Sequence, residues 1–272
     1  MALVEAEIDW DVLSGQLSVV DQDNYRSTIR LLDRNEPRFF WITKNIDFTQ
    51  WESDANLPAL WLSGPHNRGM EEVSSHIIGA AIEKARPSNG SVLYFFCSTA
   101  TKGRGSIATV FAHTLLHQIV TSSSADKAKS ITAVFLKSLL GEHIRRRRSS
   151  RFKENDSLLV SLENILDAPD DELRRAFVEA TRTAGIQELS IVIDGIDITI
   201  PEGVVFVHTV YSLVKDIVHA NPKFKALLTS IHNTALQNTL GMLPCAYIEY
   251  DKERMGEHMH HSLTSILANK KF

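Results

Sequence analysis

From residue 59 onward, short apolar runs alternate with longer amphipathic stretches, and this alternation leaves few folds open to the chain. Five runs, at 59–63, 92–97, 189–193, 224–229 and 245–249, are brief, apolar and bounded by turn residues or charges, the pattern of buried strands. Helical patterns fill the intervals at 70–85, 107–120, 128–140, 157–166, 171–183, 204–220 and 233–240. Strands separated by helices predict an α/β fold, a five-stranded parallel sheet with helices on both faces. Several of these helices fall between the second and third strands and form a helical insert. Two more helical patterns, at 8–17 and 24–32, precede the sheet and end at Glu36 and Pro37, and a last one covers 251–271 with Asp251 as its N-cap. The expected division is a helical N-terminal extension and linker over 1–45 and a single compact unit over 46–272.

Composition removes several function classes. With 43% hydrophobic and 23% charged residues the chain is of ordinary globular type. A net charge of -4 argues against general nucleic-acid binding. Cys97 and Cys245 are the two cysteines, too few for a disulfide framework and suited to a reducing compartment. The first residues are acidic and lack a basic segment followed by an apolar core, so no secretory signal is expected. No apolar run approaches the roughly 20 residues that cross a bilayer. A cytoplasmic protein with no membrane partner is the expectation.

The first apolar run leads into a glycine loop. Gly64 and Gly69 stand at the spacing of the Walker A phosphate loop, G-x-x-x-x-G-K-[ST], directly between a predicted strand and a predicted helix. Two glycines so spaced are weak evidence alone, because about 0.6 such pairs arise by chance at this glycine content. In a working loop the amides wrap the β-phosphate, the Lys bridges β and γ oxygens, and the hydroxyl holds Mg²⁺. Here Met70 stands in the Lys position and Glu71 in the Ser/Thr position. The candidate nucleotide-binding positions are therefore Gly64, Asn67, Arg68, Gly69, Met70 and Glu71. A carboxylate about 5 Å from a phosphate charge costs roughly 3 kcal/mol at an effective dielectric near 20, more than a hundredfold in affinity. A carboxylate also suits Mg²⁺, which leaves Glu71 open as a metal ligand.

The third run ends in Asp194, with Asp197 three residues on, the Walker B pattern. Asp194 would hold the water shell of Mg²⁺ and Asp197 would stand where a general base polarises attacking water. The plainer reading is a strand-end Asp that caps a turn. The fourth run ends in Thr229 and Ser230, followed by Ile231 and His232.

Four segments carry a resemblance: Phe48 to Trp51 ahead of Leu60 to Gly64, Leu93 to Cys97 with its Tyr-Phe-Phe-Cys, Leu115 to Gln118, and Val192 to Asp197. Together they are similar to the NACHT NTPase domain of the STAND class, in its fungal, nephrocystin-like form. The resemblance covers roughly residues 20–250 and includes a pre-sheet helix followed by an aromatic linker. It implies a P-loop strand near the middle of the sheet with the Walker B strand close by, Asp194 at the metal position and Asp197 at the base position. It also implies a Walker A Lys, a Ser or Thr after it, and an Arg after the fourth strand. This sequence has Met70, Glu71 and Ile231 there, and His232 carries little charge at pH 7. The expected molecule is a NACHT core nearly alone, without winged helix, repeats or a sizeable effector domain.

The functional expectation is a pseudo-NTPase, a degenerate enzyme acting as a protein-interaction or regulatory module with no cofactor. Its partners would be proteins, either full-length NACHT relatives or a second copy. The alternative is a residual switch that binds Mg-ATP or Mg-GTP through Asp194, Asp197, Arg68 and the loop amides, with Glu71 recruited to Mg²⁺. A nucleic-acid role for the basic run Arg145 to Arg148 ranks below both, and that run reads as a solvated loop between two helices. His113 and His117 have the i, i+4 spacing of a zinc pair but lack an evident third ligand. His258, His260 and His261 read as a surface cluster.

Overall fold

The computed structural model describes residues 39–64, 70–88, 90–97, 106–149, 168–199, 203–221, 223–231, 234–242 and 244–250. The helices expected at 8–17, 24–32, 157–166 and 251–271 lie outside them. Among the described residues the helices are α1 (Phe40–Thr43), α2 (Ile46–Ser53), α3 (Met70–Ala85), α4 (Ile107–Thr121), α5 (Ala125–Ser149), α6 (Asp170–Ala184), α7 (Gly203–Ala220) and α8 (Thr234–Leu240). The strands are β1 (Ala59–Gly64), β2 (Ser91–Phe96), β3 (Leu189–Asp194), β4 (Phe224–Ile231) and β5 (Cys245–Glu249).

Contacts divide the described residues into two compact units, one within 39–97 and 187–250 and one within 106–186. The first holds the sheet, whose strands are all parallel in the order β2-β3-β4-β1-β5. β4 therefore lies between the glycine-loop strand β1 and the acidic strand β3. Successive strand side chains point to opposite faces, and both faces are covered. On one, Leu60, Leu62, Tyr94, Phe96, Val192 and Leu227 pack with Val73, Ile77 and Ile78 of α3 and with Phe48 and Trp51 of α2. On the other, the ring of Phe95 meets Phe206 of α7 at 6.3 Å. Burial on both faces is why these strands read as unbroken apolar runs.

Two devices fix α2 against the sheet. Asn45 caps its start, accepting from the amides of Asp47 at 2.8 Å and Phe48 at 3.3 Å. At its end the Lys225 ammonium of β4 donates to the carbonyls of Trp51, Asp54 and Leu57 at 2.5, 2.6 and 3.0 Å. An ammonium has three protons, and here they meet one carbonyl of the last helical turn, that of Trp51, and two of the segment that follows the helix, those of Asp54 and Leu57. Partial burial pulls the Lys225 pKa down.

The second unit contains α4, α5 and α6, with Phe111, Phe135 and Phe177 all buried. Ser106 caps α4 by accepting from the Thr109 amide at 3.1 Å. Gly185 ends α6 at a φ of 59°, a left-handed conformation that favours glycine. The basic run departs from expectation. Arg145 to Arg148 are not a loop but the last turns of α5, which runs to Ser149. Arg is a good helix former, and Arg145 pairs with Glu142 one turn back at 3.0 Å. Arg175 of α6 also reaches Glu142, at 3.2 Å.

Candidate functional site

The candidate residues gather at the C-terminal ends of β1, β3 and β4. Asp194 is the last residue of β3, placed across from Phe96 of β2, and Gly64 ends β1 opposite Ile231 of β4. Asn67, Arg68 and Gly69 lie outside the described residues. Gly64, Met70, Glu71, Asp194 and Asp197 are described.

Asp194 is 6% exposed. Its Oδ1 accepts the hydroxyl of Ser74 at 2.5 Å and that of Thr229 at 2.6 Å. Thr229 Oγ1 in turn accepts the amide of Gly195 at 3.0 Å, at a φ of 70° that a glycine adopts without strain. Burial raises the Asp194 pKa, the bonds from Ser74 and Thr229 pull it down, and the charges of Glu71 and Asp197 add to the rise. Both of these charges are acidic. Asp197 lies in the 3-10 turn Ile196–Thr199, and its Oδ1 accepts the Ile231 amide at 3.0 Å. Cys97 is buried beside them, its amide donating to the Asp194 carbonyl at 2.9 Å. Desolvation, with Asp194 and Asp197 nearby, pushes its thiol pKa well up.

Met70 opens α3 and packs, half-buried, against the core. A Cβ built on Gly64 would stand 2.8 Å from Met70 Sδ and 3.1 Å from Tyr250 Cβ, so the thioether lies back over the start of the loop. Tyr250 closes the other side, with its ring 4.7 Å from that of Trp41. Glu71 and Glu72 occupy the first turn of α3. The positive end of the helix dipole, which would favour a phosphate, already carries two carboxylates.

Glu71, Asp194 and Asp197 bring negative charge to this end of the sheet, which disfavours a bare phosphate, while Met70 supplies no cation where the pattern has a Lys. Among the described residues, no group of three His, Cys, Asp or Glu side chains is placed to hold a metal ion. His113 is buried on α4 with its ring edge-on to Phe135 at 6.4 Å, and desolvation lowers its pKa from 6.5 to about 4.

A concavity of about 400 Å³ lies by the opposite ends of β3 and β4, floored by Phe48, Trp51, Ile77, Ala81, Val192 and Leu227. Charges at its mouth are matched in pairs, Lys84 with Glu52 at 3.1 Å and Lys223 with Glu188 at 2.8 Å.

Ser74 escaped the sequence reading. The available signal was a polar trio, Ser74, Ser75 and His76, on a helix whose neighbours are apolar; all three are buried.

A parallel sheet ordered 2-3-4-1-5, with a glycine loop after its first strand and acidic residues after its third, has the architecture of the P-loop NTPase class. The family model described as Nephrocystin 3, N-terminal, matches residues 39–231, and the chain belongs to that family. No curated protein matches the chain. Among the described residues, no helix is long and apolar enough to cross a membrane.

Proposed function

We propose that this chain is a NACHT-type pseudo-NTPase of the STAND class, a regulatory module that works through protein contacts without efficient NTP hydrolysis. One observation carries the reading: both acidic residues of the Walker B pattern are engaged within the protein, Asp194 by Ser74 and Thr229 and Asp197 by the Ile231 amide. Met70 in place of the Lys and Glu71 in place of the hydroxyl support it from the other side of the site. A cation that bridges β and γ oxygens is what couples a γ-phosphate to a change of shape. Partners would be other NACHT proteins, NLR-like full-length relatives, or a second copy of this chain, with no cofactor needed. A cytoplasmic setting agrees with the free thiols of Cys97 and Cys245.

The test is thermal unfolding with and without about 1 mM Mg-ATP or Mg-GTP. A ligand with a Kd near 10 µM would add about 2.7 kcal/mol and raise the midpoint by about 5–10 °C. The midpoint should stay where it is. A rise that Asp194→Ala abolishes would establish the residual nucleotide switch instead. Light scattering and capture with a full-length NACHT protein test the partner, and a monomer that captures none would remove that part of the proposal.

A further inference from the structure

Ser74, Asp194 and Thr229 belong to three elements far apart in sequence, yet they meet at one atom. All are buried, at 0%, 6% and 1% exposure. Asp194 Oδ1 receives both hydroxyls, and through it α3 is joined to β3 and β3 to β4. Two backbone bonds reinforce the second joint, Gly195 amide to Thr229 Oγ1 and Ile231 amide to Asp197 Oδ1, each at 3.0 Å. Val73, Ile77, Tyr94, Phe96, Val192 and Leu227 form core on the same face of the sheet.

The position of Ser74 is specific to this arrangement. It lies one helical turn beyond Met70, so both side chains share a face of α3. The hydroxyl of a working phosphate loop would come from position 71, where this chain has Glu. The carboxylate suited to a metal's water shell is instead held by a serine from deeper in the helix.

We propose that the Ser74–Asp194–Thr229 clasp fixes α3, β3 and β4 in one arrangement that does not respond to nucleotide. Within the sheet unit the clasp makes permanently the connection that a bound nucleotide and metal would make only while present. This rests on reading the site as one that binds no nucleotide.

Hydrogen exchange on the full chain tests it, comparing wild type, Ser74→Ala, Ser74→Thr and Thr229→Val, each with and without about 1 mM Mg-ATP. Peptides over the first half of α3 and the ends of β3 and β4 should lose about tenfold protection in Ser74→Ala and in Thr229→Val. Ser74→Thr, which keeps the hydroxyl, should retain most of it, and α7 serves as the internal control for folding. Unchanged protection in Ser74→Ala would overturn the clasp and leave the nucleotide question untouched. Protection gained by the wild type with Mg-ATP would overturn the nucleotide-free reading, while the Ser74 comparison still judges the clasp. Should Ser74→Ala fail to fold, Thr229→Ser against Thr229→Val isolates the same bond: equal losses from the two would overturn the proposal, and loss in Thr229→Val alone would sustain it.

Discussion

The Met70 thioether rests on Gly64, close enough that any Cβ at residue 64 would stand 2.8 Å from Met70 Sδ. The absent side chain of one residue thus makes room for the folded-back side chain of the other. Tyr250 Cβ and Cδ1, both 3.1 Å from that Cβ position, limit the alternatives. Gly64→Ala should therefore destabilise the protein by about 1–3 kcal/mol, the usual cost of overpacking. Met70→Ala in the same chain should recover part of that loss, because the nearest clash is with its sulfur. Urea unfolding of the two single variants and the double measures this. Strictly additive losses would show that Met70 and Gly64 do not share the space.

The same contact explains what a restored loop would require. Met70→Lys with Glu71→Thr puts a cation and a hydroxyl where the phosphate-loop pattern has them and removes one carboxylate. Each charge change is worth roughly 3 kcal/mol at about 5 Å and an effective dielectric near 20. Calorimetric titration with Mg-ATP should show no heat of binding for the wild type at about 1 mM ligand and a measurable Kd for the double variant, since the two changes together approach 6 kcal/mol. Equal behaviour of the two proteins would mean that the Met70 and Glu71 positions are not what separates this chain from a nucleotide binder.

Much of this arrangement was legible in the sequence because burial on both faces leaves a strong local mark. Helix 70–85 and strand 245–249 were read to the residue, and β3 and β4 to within two residues of their ends. The strand order was not readable from periodicity, since the insertion of β4 between β1 and β3 is decided by pairing between distant segments. The basic run was misread for a local reason: four consecutive Arg look like a solvated loop, while the ion pair to Glu142 and the propensity of Arg carry α5 onward. Asp194 and Asp197 stand out in the sequence as acidic residues closing an apolar run, but their hydrogen-bond partners do not. A hydroxyl on a helix gives no signal of which carboxylate it will meet 120 residues later. Lys225 is similar, because its three carbonyl partners lie about 170 residues upstream.

Asp194 should tolerate Asn better than its buried carboxylate suggests. Burial holds its folded pKa above the ordinary 3.8. A carboxyl so shifted contributes stability that is complete below the unfolded value and lost as pH rises through the folded one. Asn keeps an oxygen for Ser74 and Thr229 and carries no charge, so it escapes that loss. Asp194→Asn should match or exceed the wild-type thermal midpoint at pH 7, with the difference in its favour shrinking as the pH is lowered. Asp194→Ala removes the acceptor and should cost about 1–3 kcal/mol for each hydroxyl left unpaired. An Asn variant as unstable as the Ala variant at pH 7 would show that the charge is needed, as it would be if a cation sat beside it.

The opposite sign applies to His113 in the helical unit. Its pKa falls from 6.5 to about 4 because burial excludes the charged ring. A base lowered in this way contributes stability that is complete above 6.5, declines as the pH drops, and is gone once the folded group titrates near 4. The difference corresponds to about 3 kcal/mol for a nearly inaccessible ring. Urea midpoints measured between pH 7 and pH 4 should therefore fall in the wild type, and His113→Gln, which does not titrate, should have a shallower dependence over the same range. The ring sits edge-on to Phe135, so His113→Gln is also expected to lose some stability at pH 7. The slope with pH, and not the starting value, therefore decides the matter. Parallel curves for the two proteins would mean that His113 titrates in the folded chain much as it does in the unfolded one.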